Sequence, residues 1–116
     1  MVETKDSQGW KFYEEQLKYL YAKDTDGLVD GHYHEDGVIV SFDFTVKGRE
    51  ALREHFRNYL EMLGDLRVKS TDRFTETEDT IFFEATVETA AFGEVKVYDA
   101  FILKDGKITY HFTGVK

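Results

Sequence analysis

The chain has 116 residues, enough for one domain around a single hydrophobic core and too few for a second. Its net charge of −8 repels phosphate backbones and anionic lipid, so neither nucleic acid nor a membrane surface is an expected partner. The chain has no cysteine, which excludes disulfides, thiolate catalysis and cysteine-held zinc, and no apolar run approaches the roughly 20 residues of a spanning helix. The first residues, MVETKDSQGW, lack a signal-peptide core, so a cytoplasmic protein is expected.

From Trp10 to Ala22 the apolar residues Trp10, Tyr13, Leu17, Leu20 and Tyr21 recur at helical spacing, which predicts a first helix with Glu14, Glu15 and Lys18 in solvent. Thr25 is placed to cap a short second helix that buries Leu28, Val29, His32 and Tyr33. A charged turn, Glu35-Asp36-Gly37, ends it, and a strand is expected over Val38 to Phe42. A third helix starts near Gly48. It carries Leu52, Phe56, Tyr59, Leu60 and Leu63 on one face, and Gly64 serves as its C-terminal cap.

From Leu66 the period changes to two. Glu78-Asp79, Gly93 and Asp105-Gly106 are hairpin signals, so four antiparallel strands follow, with the Val38 strand joining their edge. Helices followed by strands indicate an α+β domain spanning residues 1–116, its three N-terminal helices packed on one face of a curved, mostly antiparallel sheet.

In the third long strand Val95, Val97, Asp99, Phe101 and Leu103 share one face. A carboxyl group amid apolar neighbours suits either proton transfer or a hydrogen-bonded structural role, because burial disfavours its charged form. In the last strand, Ile108, Tyr110 and Phe112 alternate with Thr109, His111, Thr113 and Val115. A histidine facing a pocket moves protons near neutral pH. His32 and His34 with Glu35 and Asp36 have the composition of a metal site but lack a third placed ligand, so no metal is expected. His55 shows no evident partner.

The block Asp24 to Leu52, DTDGLVDGHYHEDGVIVSFDFTVKGREAL, resembles the corresponding stretch of the nuclear transport factor 2-like superfamily, which includes ketosteroid isomerases and SnoaL-like polyketide cyclases. The resemblance implies a conical cup. Matching VYDAFILKDGKI to the isomerase strand before the final hairpin places Asp99 where those enzymes hold a protonated aspartic acid as an oxyanion donor. The other polar positions do not carry over: the general base falls at Ser41, the oxyanion tyrosine at Leu17 and a supporting tyrosine at Phe56. Asp43 is the candidate replacement for the base, and Tyr13 or Tyr21, one helical turn from Leu17, for the tyrosine. Family alignment turns the His111 face inward.

Together these readings give Asp99, His111 and Asp43 as candidate catalytic residues, with Trp10, Tyr13, Leu17, Tyr21, Phe56, Tyr59, Val97 and Phe101 lining a pocket for a small apolar or aromatic molecule. Three functions follow from the resemblance. They are a cofactor-independent isomerase, cyclase or dehydratase, a non-catalytic carrier or sensor, and an interaction module that forms a homodimer through the outer sheet face near Phe82, Tyr98 and Ile102.

Overall fold

A computed structural model describes residues 7–116. The first helix, α1 (Gln8–Ala22), opens at Ser7, whose hydroxyl accepts the Trp10 amide at 3.1 Å, and closes at Lys23 in the left-handed region at φ 56°. Its inward face carries Tyr13 and Gln16, both buried. The second helix, α2 (Thr25–His32), is capped by Asp24 instead of the expected Thr25: the Asp24 carboxylate accepts the Gly27 amide at 3.0 Å. A carboxylate there also offsets the positive end of the helix dipole, and Thr25 is buried inside the first turn.

The chain passes directly from α2 into strand β1 (Tyr33–Val40). Glu35-Asp36-Gly37, expected as a turn, lies within this strand as a bulge between the pairings Tyr33 with Ile108 and Val38 with Tyr110. Gly37 makes the bulge possible, because a Cβ there would sit 3.0 Å from the His34 carbonyl oxygen and 3.1 Å from that of Ile108. The strand stops two residues before the expected Phe42. Ser41 donates its amide to the Phe44 carbonyl at 2.8 Å, closing a turn into β2 (Thr45–Lys47), a strand too short for hydrophobic periodicity to reveal.

Helix α3 (Arg49–Leu63) runs between Gly48 at φ 88° and Gly64 at φ 75° and buries Leu52, Phe56, Leu60 and Leu63, as the spacing predicts. The remaining strands, β3 (Leu66–Glu76), β4 (Thr80–Thr89), β5 (Gly93–Lys104) and β6 (Lys107–Val115), form the expected antiparallel meander. β1 joins its edge in parallel with β6, giving a mixed, open six-stranded sheet in the order β2-β1-β6-β5-β4-β3. The fold is α+β. Among the described residues no helix is long and apolar enough to cross a membrane.

The inner sheet face carries Ile81, Phe83 and Ala85 of β4 and Phe101 of β5, all buried against the helices. Each large apolar side chain so buried contributes about 1.5–3 kcal/mol. One irregularity controls what β6 adds to this face. Leu103 pairs with Ile108, whereas Ile102 pairs with Tyr110, so Thr109 is an extra residue. Strict alternation groups Ile108 with Tyr110 and Phe112, but the bulge separates them: Ile108 is fully buried, and Tyr110 and Phe112 lie exposed on the other face. Without that extra residue, an inward Ile108 would turn His111 outward.

Candidate active site

Between α1, α3 and the inner sheet face lies a cavity of about 430 Å³, a volume typical of small-molecule sites. Tyr13, Leu17, Phe56, Tyr59, Val97 and Phe101 line it, together with Asp99 and His111. Three other candidates fall outside. Trp10 packs edge-on to Tyr13 and Phe74, with ring centroids 5.2 and 5.0 Å away, and so lies between α1 and β3. Tyr21 is 44% exposed, and its hydroxyl accepts the Val68 amide at 3.0 Å, which fixes it on the edge strand. Asp43 is exposed in the β1–β2 turn because the strand ends at Val40, so it cannot replace the missing base from the wall of the cavity.

Asp99 and His111 come together. Their strands are neighbours, and His111 Nε2 lies 2.7 Å from Asp99 Oδ1, with side chains 8% and 15% exposed. Among the described residues Asp99 Oδ2 takes no hydrogen bond and is left for the cavity that Asp99 lines. An unpaired carboxylate on this mostly apolar wall would be costly, and the imidazole offsets that cost.

The sequence reading missed what stands behind this pair. His111 Nδ1 lies 2.8 Å from the Tyr33 hydroxyl, which is fully buried at the start of β1. Gln16 Nε2 donates to the same hydroxyl at 3.2 Å, and Gln16 Oε1 lies 2.7 Å from His32 Nδ1. His32 Nε2 reaches Glu15 Oε1 at 3.3 Å, where the Glu15 side chain is 60% exposed. One line of polar groups therefore runs from the cavity through the core to the surface of α1. A signal for it existed: Gln16 occupies the helical position after Tyr13 on the buried stripe, where an apolar residue is expected.

Burial pushes the Tyr13 hydroxyl up to about 12, against the opposing hydrogen bond to Thr71, and it pushes Tyr33 further in the same direction. The charge of Asp99 adds to both shifts. Both tyrosines are therefore neutral hydrogen-bonding groups at any physiological pH. His32 is held below its ordinary range by burial, which Glu15 only partly opposes.

His55 is the other residue passed over. It lines the cavity from α3, stacks on Tyr59 at 6.0 Å and 13°, and lies 5.1 Å from the Phe44 ring. Burial lowers its proton affinity, and repulsion from His111 lowers it further. The cavity thus has ionisable groups on two walls, Asp99 and His111 on the sheet and His55 on the helix.

A family model of the SnoaL-like domain matches residues 13–111. No curated protein matches the chain. Among solved structures, a nuclear transport factor 2-like protein of unknown function from Burkholderia pseudomallei superposes with a TM-score of 0.81 at 16% identity, covering 95% of this chain and 92% of the other. A protein described as a putative polyketide cyclase from Sinorhizobium meliloti gives 0.79 at 17% identity, with 97% and 100% covered. TerC, co-crystallised with polyporic acid, gives 0.77 at 19%, with 95% and 92% covered. At such identities the superpositions establish the shared fold, and the match over residues 13–111 establishes that the chain belongs to the SnoaL-like domain family.

Proposed function

We propose that this SnoaL-like protein is a cofactor-independent isomerase, cyclase or dehydratase that moves a proton on a small apolar or aromatic molecule. The observation that carries the reading is the Asp99–His111 pair, 2.7 Å apart in the wall of a 430 Å³ cavity otherwise lined largely by apolar and aromatic side chains. In this reading Asp99 takes a proton from a carbon next to a carbonyl, the C–H electron pair forms the enolate C=C bond, and the carbonyl π pair moves onto the oxygen. The ring N–H of His55 or the hydroxyl of Tyr59, on the opposite wall, donates a hydrogen bond to that oxygen. Returning the proton to a second carbon completes an isomerisation. Where the substrate has an electrophilic carbon, the same enolate closes a ring; where it has a β-hydroxyl group, the enolate expels it as water once the hydroxyl takes the proton held by Asp99.

The relative described as a putative polyketide cyclase supports this reaction class, and TerC with polyporic acid supports a small-molecule ligand. Native mass spectrometry of protein taken from its own cells identifies a retained ligand and so the substrate class. On that substrate, Asp99→Asn and His111→Ala are each expected to slow turnover by about 10²–10⁴-fold. Full activity in both variants overturns the reading.

A separate observation favours a homodimer. Phe82, Tyr110 and Phe112 are exposed on the outer sheet face, and the cross-strand pairs Phe82–Ala100, Ala100–Phe112 and Ile102–Tyr110 make them one continuous strip. A contiguous apolar strip on a sheet face fits a twofold contact with a second copy.

A further inference from the structure

We infer that Gln16, Tyr33 and His32 are positioning residues that, together with Asp99, fix the tautomer of His111, placing its proton on Nε2 toward Asp99 so that Asp99 faces the cavity as a carboxylate base. The inference deepens the proton-transfer reading for its effect on turnover, but the tautomer itself does not depend on it.

The argument is one of donors and acceptors. Gln16 Nε2 can only donate, so the Tyr33 oxygen accepts from it and Tyr33 must send its single proton elsewhere. The remaining partner is His111 Nδ1, at 2.8 Å. A neutral imidazole that accepts at Nδ1 carries its proton on Nε2, and there Asp99 Oδ1 receives it at 2.7 Å. Every bond in this half of the line then has one donor and one acceptor.

The other half holds Gln16 in place. Its Oε1 accepts, so His32 keeps a proton on Nδ1. His32 is itself fixed beneath Phe12, with the rings stacked 3.8 Å apart at 13°, and Tyr19 meets it edge-on. When His32 loses its Nε2 proton, that nitrogen no longer donates to Glu15, whose side chain is 60% exposed and free to turn into solvent, and the shorter 2.7 Å bond to Gln16 Oε1 keeps the remaining proton on Nδ1. The direction of the line is therefore the same in both charge states of His32. An amide does not readily pass protons along, so the line sets orientation and is not a route for proton exchange with solvent.

Replacing the donor end of Gln16 should reverse the line. In Gln16→Glu a carboxylate, which only accepts, faces Tyr33; Tyr33 then donates to it, His111 must donate from Nδ1, and the proton that was on Nε2 passes to Asp99, which becomes a carboxylic acid and donates back to Nε2. Tyr33→Phe cuts the line: Asp99 still holds the proton on Nε2, but Nδ1 loses the hydrogen bond it accepts, which gives a second test where a buried glutamate prevents folding.

Long-range ¹H–¹⁵N correlation spectra of the ¹⁵N-labelled protein, taken at a pH alkaline enough for neutral imidazoles, read the protonated nitrogen directly. The expected result is a proton on Nε2 of His111 in the wild type, on Nδ1 in Gln16→Glu, and in Tyr33→Phe a proton still on Nε2 with the Nδ1 resonance shifted to that of a nitrogen accepting no hydrogen bond. A wild-type proton on Nδ1 overturns the inference, as does an unchanged His111 pattern in a folded variant. If the spectra behave as expected but Asp99→Asn keeps full turnover, the positioning stands and the proton-transfer reading fails.

Discussion

Tyr33 and His111 are 78 residues apart in sequence, yet their hydroxyl and ring nitrogen lie 2.8 Å apart inside the core. The contact needs both sheet irregularities. The bulge at 34–37 lets β1 begin opposite Ile108, and the bulge at Thr109 turns His111 inward beside it. Deleting the hydroxyl leaves Gln16 Nε2 and His111 Nδ1 without the partner they share in the core. Tyr33→Phe is expected to lower stability by about 1–3 kcal/mol, measured as a reduced midpoint of urea unfolding with an unchanged slope.

Stability should also depend on pH in a definite direction. His32 and His55 both bind protons less tightly in the folded state than the ordinary value of 6.5, in each case chiefly because burial disfavours the charged ring. The unfolded chain then takes up protons first. Stability is fully present above 6.5 and falls as pH drops from there through the lowered folded-state values. Thermal unfolding across that range should show the decline, and His55→Asn should make it shallower. Equal slopes in both proteins would remove His55 from the account.

The sequence revealed those parts of the fold in which local pattern and tertiary role agree. Helix α3 shows its apolar stripe between two glycines, and Asp105-Gly106 marks the last hairpin, so those elements fall where periodicity puts them. Asp99 stood out as the one carboxylate on an apolar strand face. His111 did not stand out from pattern alone, because the extra residue at Thr109 that reverses its side has no signature in hydrophobic alternation. Tyr33 read as a core aromatic at a helix end, and only the contact with His111 gives its hydroxyl a role. Asp43 was misplaced for a simpler reason: a strand assumed to reach Phe42 ends at Val40, and every direction inferred beyond that point fails.

The outer face makes an independent prediction. A charge placed on an apolar strip that joins two copies is desolvated without a partner, which is strongly unfavourable. Tyr110→Lys, where the ring is 47% exposed and makes no contact with the cavity, should convert a homodimer into a monomer without loss of helix content. Light scattering after size exclusion and far-ultraviolet circular dichroism check the two halves of that statement. A wild-type monomer at every concentration contradicts the homodimer.

Ligand binding can be separated from chemistry by filling the cavity. Val97 lies on its wall beside Asp99 on the same face of β5, and Val97→Phe places new atoms in the cavity. An apolar fluorescent dye that binds the wild type should no longer bind the variant, and because the larger ring faces the cavity and displaces no packed side chain, the melting temperature should not fall by more than a few degrees. Undiminished dye binding would place the ligand site elsewhere.

The central claim is that Asp99 abstracts a carbon-bound proton inside this cavity. Its most direct test is deuterium incorporation from D₂O into a panel of small apolar ketones and enones, followed by mass spectrometry for the wild type, Asp99→Asn and Val97→Phe. The account predicts catalysed exchange in the wild type for at least one carbonyl compound, about 10²-fold or more slower exchange in Asp99→Asn, and none above background when the cavity is filled. Exchange at the same rate in all three proteins would contradict it.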